Sequence, residues 1–123
     1  MDFRSLKVYE IGFGLAMDIF NLTKEFPKEE RYSLTDQIRR SSRSVCANVA
    51  EAYRKRRYPN HFISKLTDSD AENAETQSWL EFAYACEYIN KNTKEELNQK
   101  SLEVGKLLNY MINNPARFGA SKE

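Results

Sequence analysis

Apolar residues recur at three- and four-residue steps through most of the chain, a spacing typical of amphipathic helices. Proline and asparagine interrupt this pattern, and both residues commonly end helices. Four helices are therefore predicted, over residues 5–25, 33–57, 60–89 and 93–112. Short connections make consecutive helices antiparallel, so the predicted fold class is all-α, an antiparallel up-down-up-down four-helix bundle. The bundle domain is expected to span residues 1–113, and residues 114–123, which show no periodicity, are expected to form a frayed tail.

The second predicted helix has two opposed faces. Its apolar residues fall on one narrow stripe formed by Leu34, Ile38, Val45, Val49 and Ala52. Arginines gather on nearly the opposite sector, at Arg39, Arg40, Arg43, Arg54 and Arg57. Such a helix packs its apolar face on a core and needs an anionic partner, or many carboxylates, on the other face. Ser33, followed by Asp36 three residues later, is expected to cap this helix in a loose capping box.

Local signals set the other helix boundaries. Phe26-Pro27 ends the first predicted helix, since a residue before proline avoids α geometry. Pro59 is expected near the first turn of the third helix, and Thr93, with Glu96 three residues later, is expected to cap the fourth. The candidate core residues of these three helices are Leu6, Tyr9, Phe13, Ala16, Phe20, Thr23, Phe62, Leu66, Ser69, Asn73, Leu80, Ala83, Tyr84, Leu97, Ser101, Val104, Leu108 and Met111.

The composition favours one domain with its own core. A chain of 123 residues with 41% hydrophobic residues can bury a core without disulfides or metal. The two cysteines, Cys46 and Cys86, match no metal or redox spacing and are expected to be buried free thiols. Metal-binding bundles use paired Glu-x-x-His motifs, whereas this chain has one histidine, so neither metal nor cofactor is expected. No signal peptide or membrane-length apolar run is recognisable, which predicts a cytoplasmic protein without membrane contact.

Charge is distributed unevenly along the chain. The formal net charge is only +1, but residues 31–57 carry eight Lys or Arg and two acidic residues, which leaves +6. Residues 58–99 carry three Lys and eight acidic residues, which leaves −5. A molecule with a basic second helix and an acidic third helix can pair with itself or present one face to a polyanion.

Two interpretations of the arginine-rich face are open. Acidic residues of the third helix, namely Asp68, Asp70, Glu72 and Glu75, can neutralise it within one bundle or across a subunit contact. Alternatively the face binds RNA or DNA, because guanidinium groups suit bidentate contact with phosphate. Tyr53 and Tyr58 interleave with the basic residues, and such aromatic rings hold single strands by stacking. The candidate nucleic-acid-binding residues are Arg39, Arg40, Arg43, Arg54, Lys55, Arg56 and Arg57.

Other polar residues carry weaker functional signals. Arg56 and His61 have the Arg-x4-His spacing found in ribonucleases of the HEPN class, where imidazole moves a proton and guanidinium stabilises phosphorane charge. Pro59 lies between them, and arginine is so frequent here that the spacing has little specificity, so no catalytic residue is assigned. Asn48 and Glu51 lie between the apolar and basic faces and are interpreted as a structural pair that fixes helix register.

Two blocks of sequence carry a resemblance to a known family. The first is Thr23…Phe26-Pro27…Glu30…Tyr32-Ser33-Leu34-x-x-Gln37-Ile38-Arg39-Arg40-Ser41…Ser44-Val45…Asn48-Val49-Ala50-Glu51. The second is Ser69-x-x-Glu72 followed by Glu75-Thr76-Gln77-x-Trp79-Leu80-x-Phe82-Ala83. Together they resemble the four helix bundle protein family, whose members are encoded in intervening sequences of bacterial large-subunit ribosomal RNA genes and elsewhere in bacterial genomes. The resemblance spans residues 5–112, with Ala52 where the family commonly has Gly and Gly12 where it commonly has Ala.

The resemblance implies properties that the residues alone do not. It implies a cytoplasmic bundle that assembles into a homopentameric ring and has no catalytic residues. The chain is also remotely similar to the accessory variability determinant of diversity-generating retroelements, a pentameric basic bundle that binds a reverse transcriptase and nucleic acid. By position, Arg39, Arg40 and Arg43 match the basic part of the family motif, and Asn48 and Glu51 match its polar pair.

Pattern, charge and resemblance together predict a bacterial, non-enzymatic, homo-oligomeric helical bundle that binds RNA or DNA through its second helix. One alternative is a protein-interaction scaffold without nucleic-acid binding, whose arginines lie in subunit contacts and whose partner is a protein such as a reverse transcriptase. A ribonuclease that uses Arg56 and His61 is the remaining alternative.

Overall fold

Four α-helices form the fold of the computed structural model, which describes residues 2–121. They are α1 (Lys7–Thr23), α2 (Leu34–Arg54), α3 (Pro59–Ala85) and α4 (Lys91–Asn113). Short 3₁₀ helices at Phe3–Ser5, Lys28–Glu30 and Pro115–Phe118 flank them. Each helix packs on the next one in sequence and α1 also packs on α4, whereas within the described residues the diagonal pairs make no close backbone approach. This arrangement confirms the predicted all-α up-down bundle.

The core consists of two apolar clusters with a polar layer between them. The two clusters are centred on Phe62, Leu66, Val104 and Leu108, and on Ile19, Ile38, Leu80 and Leu97. In every helix the buried residues between the clusters are small or polar, namely Gly12, Ser41, Ser42, Ser69, Asn73, Thr76 and Ser101. Hydrogen bonds between helices satisfy this layer: the Ser41 and Thr76 hydroxyl oxygens lie 2.8 Å apart, and the Ser69 hydroxyl donates to the Val45 carbonyl at 2.8 Å.

The helix ends differ from prediction by a few residues. Pro59 is the first residue of α3, as predicted, but α2 already ends at Arg54 and a turn connects the two helices. α3 ends at Ala85, four residues before its predicted end, and the chain then turns towards α4. Asn90, and not Thr93, caps α4, because the Asn90 side chain accepts a hydrogen bond from the Thr93 backbone N–H at 2.8 Å.

The C-terminal segment is ordered, in contrast to the predicted frayed tail. Pro115–Phe118 form a 3₁₀ helix, and Ala120 is 1% exposed. The Arg56 guanidinium donates to the Phe118 carbonyl at 3.3 Å, and Gly119 next to it takes a left-handed φ of 86°. Such a φ suits glycine, which lets the chain turn back onto the bundle. Lys122 and Glu123 of the predicted tail lie outside the described residues.

Three residues predicted to be buried are exposed. Phe13 and Tyr84 are 50% and 38% exposed, although their spacing places them beside core positions. Cys86 is exposed, because it lies just beyond the end of α3. Cys46 is buried and free, as predicted, and burial raises the pKa of its thiol to about 11. The other candidate core residues of α1, α3 and α4 are buried or half-buried.

Glu30 organises the start of α2, where the sequence predicts a Ser33–Asp36 capping box. Ser33 makes no capping bond; its hydroxyl donates to a Glu30 carboxylate oxygen at 2.7 Å, and the Leu34 N–H donates to the same oxygen at 3.2 Å. The other carboxylate oxygen accepts from the Tyr88 hydroxyl at 2.8 Å. The bonds from Ser33, Tyr88 and Leu34 lower the pKa of Glu30, and the bond to Glu30 raises the pKa of Tyr88 to about 12.

We expect Glu30→Gln to lower the free energy of unfolding by about 1 kcal/mol at neutral pH, the usual cost of a lost helix cap. Because the pKa of Glu30 is lowered in the folded state, this stabilisation is present above the unfolded value of 4.5 and is lost as pH falls through the folded value. Urea unfolding at neutral and strongly acidic pH measures the difference, with Glu29→Gln as the matched control. An equal loss for Glu30→Gln at both pH values would contradict this role.

Candidate nucleic-acid interface

One face of α2 is exposed along its whole length. It carries Arg40, Arg43, Ala47, Glu51 and Arg54, which follow one another at three- and four-residue steps and are all exposed. The apolar stripe of the same helix is buried in the core. The predicted opposition of an apolar and an arginine-bearing face is confirmed for Arg40, Arg43 and Arg54, whereas Arg39 is half-buried and Arg57 lies beyond the end of α2. We call this exposed side the α2 face.

An open groove collects four arginines at the N-terminal half of α2. It has a volume of about 600 Å³ and is lined by Arg31, Tyr32, Thr35, Asp36, Arg39, Arg40, Arg43, Ser44 and Ala47. We call it the arginine groove. The Tyr32 side chain is 82% exposed, and its ring centre lies 5.3 Å from the Arg31 guanidinium. Positive charge and an accessible aromatic ring therefore adjoin at this end of the α2 face.

Two of the predicted site arginines are engaged within the bundle. The Arg39 side chain donates to the Thr23 hydroxyl at 2.7 Å and to the Phe20 carbonyl at 3.4 Å, both on α1. The Arg40 guanidinium forms an ion pair with Glu72 on α3 at 3.4 Å and another with Glu75. These carboxylates raise the pKa of Arg40, Glu72 having the larger effect. Pairing between the basic second helix and the acidic third helix thus occurs through Arg40.

Four other predicted site residues keep their charge available. Within residues 2–121, no carboxylate lies in ion-pairing distance of Arg43, Arg54, Lys55 or Arg57, and all four are exposed. The Arg43 guanidinium lies 5.7 Å from the centre of the Phe20 ring, a cation–π distance that leaves its N–H groups free to donate. These cations are the strongest candidates for phosphate contact, because no internal ion pair has to break first.

Arg56 has a structural role, although it belongs to the predicted nucleic-acid-binding set. Its guanidinium stacks 3.7 Å from the centre of the Tyr53 ring and donates to the backbone carbonyls of Tyr53 and Phe118. His61, the other half of the Arg-x4-His spacing, is exposed and packs its ring against Tyr58 at 5.8 Å. The two side chains thus contact different neighbours. Tyr53 is 7% exposed, so it is not accessible for the predicted stacking on bases.

The predicted structural pair Asn48 and Glu51 is divided between two contacts. The Asn48 amide donates to the Ser44 carbonyl of its own helix at 2.9 Å. Glu51 forms an ion pair with Lys65 of α3 at 2.9 Å, so it connects two helices. Lys65 also lies 3.8 Å from Asp68, one of the acids expected to neutralise the arginines. Register between α2 and α3 is therefore supported by Glu51 rather than by Asn48.

Sequence reasoning missed two residues of the arginine groove. Arg31 and Tyr32 precede α2, in the turn that follows the Lys28–Glu30 helix, so their place on the α2 face depends on how this connection folds. An aromatic residue directly after an arginine, ahead of the predicted helix, was the available signal. It was weak, because an aromatic residue in a turn packs on the core as often as it faces solvent.

Two apolar grooves flank the α2 face. The groove between α1 and α2 has a volume of about 390 Å³ and is lined by Phe3, Tyr9, Phe13, Ala16, Met17, Arg43, Cys46, Ala47 and Ala50. The groove between α2 and α3 has a volume of about 270 Å³ and is lined by Glu30, Ser33, Leu34, Gln37, Trp79, Phe82 and Cys86. Phe13, Met17 and Phe82 are 50%, 41% and 55% exposed there. Exposed apolar side chains in grooves are typical of contact surfaces.

Two further searches of the described residues bear on the kind of site present. Among residues 2–121, no three His, Cys, Asp or Glu side chains come together as a metal-binding group. The same part of the chain contains no helix with the length and apolar character needed to cross a membrane.

The fold and the α2 face define the class of protein: an antiparallel four-helix bundle whose second helix has a basic, exposed face. Residues 4–110 match the family model described as 23S rRNA-intervening sequence protein, so the chain belongs to that family. The structure is similar to that of a protein of unknown function from the S23 ribosomal protein family of Bacteroides thetaiotaomicron VPI-5482. The two share 34% sequence identity and a TM-score of 0.79, over 86% of this chain and 95% of that one. No curated protein is similar enough to this chain to count as a match.

Proposed function

We propose that this chain is a cytoplasmic, non-enzymatic, homo-oligomeric bundle that binds RNA or DNA through the α2 face. The observation that carries the proposal is a set of exposed cations, on this face and in the turn that follows α2, that have no carboxylate partner within residues 2–121, namely Arg43, Arg54, Lys55 and Arg57. A surface used only for internal ion pairs would place its arginines as Arg40 is placed, between Glu72 and Glu75.

The charge distribution supports a polyanion as the ligand of this face. Guanidinium groups donate two parallel hydrogen bonds to a phosphate, and each neutralised phosphate releases counterions, which favours binding at low salt. Glu51 lies in the middle of the α2 face, but its charge is compensated by Lys65 at 2.9 Å. The four cations without a carboxylate partner among the described residues therefore leave the α2 face and the turn after it basic, although Glu72 and Glu75 neutralise Arg40.

Self-association is the second part of the proposal, and the two apolar grooves are its proposed surfaces. A ring needs two different surfaces on each subunit, since its contacts are heterologous. Phe13 and Met17 line one groove and Phe82 lines the other, so each groove offers exposed apolar surface to a second copy of the chain.

Light scattering coupled to size exclusion, with and without a mixed-sequence RNA and a mixed-sequence DNA at low and high salt, tests both parts. We expect an oligomer, five-membered if it follows the family resemblance, that takes up RNA at low salt and releases it at high salt. A monomer at micromolar concentration would contradict self-association. An oligomer indifferent to RNA and to DNA at low salt would contradict nucleic-acid binding and favour a scaffold for a protein partner, such as the reverse transcriptase of the remote resemblance.

A further inference from the structure

We propose that the α2 face is a track for a single strand of RNA or DNA, whose bases stack on Tyr32 at one end and on Tyr58 at the other. This inference rests on the proposed function and specifies which form of nucleic acid the face binds. It requires accessible rings at both ends of α2, cations between them that have no carboxylate partner among the described residues, and a path that passes the exposed carboxylate of Asp36 in the arginine groove.

An exposed tyrosine beside basic residues precedes α2 in the chain, and another follows it. Tyr32 is 82% exposed and lies beside Arg31 in the arginine groove. Tyr58 is 57% exposed and follows directly after the basic turn at the end of α2, where Arg57 is also exposed. Base–aromatic stacking stabilises single-strand binding with little dependence on sequence, because every base has a flat face.

The middle of the track carries a small residue, Ala47, and an ion-paired acid, Glu51. Ala47 is exposed there, and it leaves room for a sugar-phosphate backbone. The carboxylate of Glu51 is paired with Lys65 and so repels a phosphate less than a free acid would. Arg43 and Arg54 stand on either side of this stretch, eleven residues or about 16 Å apart along the helix axis. Phosphates of one strand can therefore contact both arginines in sequence.

The two rings favour a single strand over a duplex. Bases in a duplex are stacked on each other and paired inside, so exposed tyrosines outside the helix cannot stack on them. α2 has 21 residues and is therefore about 30 Å long, and one stacked strand advances about 3.4 Å per nucleotide. About nine stacked nucleotides therefore cover the length of α2, the helix that separates the two tyrosines in the chain.

Fluorescence anisotropy at low salt, with labelled oligonucleotides of about four and about twelve nucleotides, tests the track. We expect the longer single strand to bind the wild-type protein at least tenfold more tightly than the shorter one and than a duplex of the longer length. Tyr32→Ala and Tyr58→Ala should each weaken binding of the longer strand roughly tenfold. The slope of affinity against salt should not change, since stacking releases no counterions. Tyr32→Phe and Tyr58→Phe are the matched controls and should bind normally, because they keep the ring.

Three results separate this inference from the proposed function. Equal affinity for the duplex and the single strand, with normal binding by both alanine variants, would overturn the track and leave nucleic-acid binding intact. Normal binding of the longer strand by Tyr32→Ala alone would also overturn it, and this variant is informative even if Tyr58→Ala perturbs the start of α3, because Tyr32 is 82% exposed. Absence of binding to any of the oligonucleotides would overturn the proposed function itself.

Discussion

Removal of Arg43, Arg54 and Arg57 together is expected to abolish most nucleic-acid binding. Each phosphate contact on a single strand contributes about 0.7 to the slope of log affinity against log salt concentration, so the triple alanine variant should lose about 2 from this slope. Each contact is a hydrogen bond to a charged group, and the combined loss should weaken binding at low salt by about a hundredfold or more. A salt titration by anisotropy measures both quantities. The fold should remain intact, because none of the three arginines belongs to an ion pair of the described residues.

A triple variant with Lys7, Lys91 and Lys106 replaced by alanine is the matched control. These lysines are exposed and lie on α1 and α4. Their replacement removes the same total charge from the molecule as replacement of the three arginines. If long-range attraction by the net charge were the whole cause of binding, the two triple variants would lose equal affinity. Such an equal loss would contradict a site on α2, and unchanged binding by the arginine variant would do so as well.

Arg40 provides a graded test of the same site. Its guanidinium is held between Glu72 and Glu75, so a phosphate can contact it only by displacing or neutralising these carboxylates. Arg40→Ala should therefore weaken binding less than Arg43→Ala, although both arginines line the arginine groove. A larger effect for Arg40 would contradict this order and would mean that the uncovered Glu72 and Glu75 carboxylates, or a rearranged groove, control binding.

The helices and most of the core could be predicted from the sequence, because amphipathic periodicity is visible in a single chain. Ile38, Leu80 and Val104 fall on apolar stripes and are at most 1% exposed. The polar layer was partly visible as well, since Ser69, Asn73 and Ser101 occur at inward positions. The residue that caps α4 could not be predicted, because Asn90 and Thr93 are both good N-cap residues and only the backbone geometry decides between them.

The roles of the individual arginines could not be predicted, because they depend on contacts between residues far apart in the chain. Arg40 meets Glu75, 35 positions away, and Arg56 meets the carbonyl of Phe118, 62 positions away. The sequence predicts that both arginines lie on a basic helix. It does not show which carboxylate or carbonyl group comes close to each of them when the helices pack. For the same reason the position of Tyr32 in the arginine groove could not be predicted, because it depends on how the connection before α2 folds.

Asn73→Ala is expected to lower the free energy of unfolding by about 2–4 kcal/mol, a large share of the 5–15 kcal/mol typical of a domain. Asn73 is 2% exposed; its amide donates to the Ser101 carbonyl at 2.9 Å, and its oxygen accepts from the Ser101 hydroxyl at 2.8 Å. Gln77 donates to the same hydroxyl at 2.8 Å. Truncation leaves the Ser101 hydroxyl without its acceptor in a buried layer and opens a cavity between α3 and α4. Urea unfolding with an unchanged m-value measures the loss.

The double variant Asn73→Ala with Ser101→Ala distinguishes a lost hydrogen-bond network from lost volume. Removing both partners eliminates the buried hydroxyl that the single variant leaves unsatisfied, so the double variant should cost less than the sum of the two single ones by about 1 kcal/mol or more. Asn109→Ala, at an exposed position of α4, is the control and should stay within about 0.5 kcal/mol of the wild type. Strictly additive costs would show that packing alone, and not the polar layer, holds α3 against α4. A layer of paired polar groups between two apolar clusters stabilises one register of the helices, because a shift of one turn would bury each of these groups against hydrocarbon.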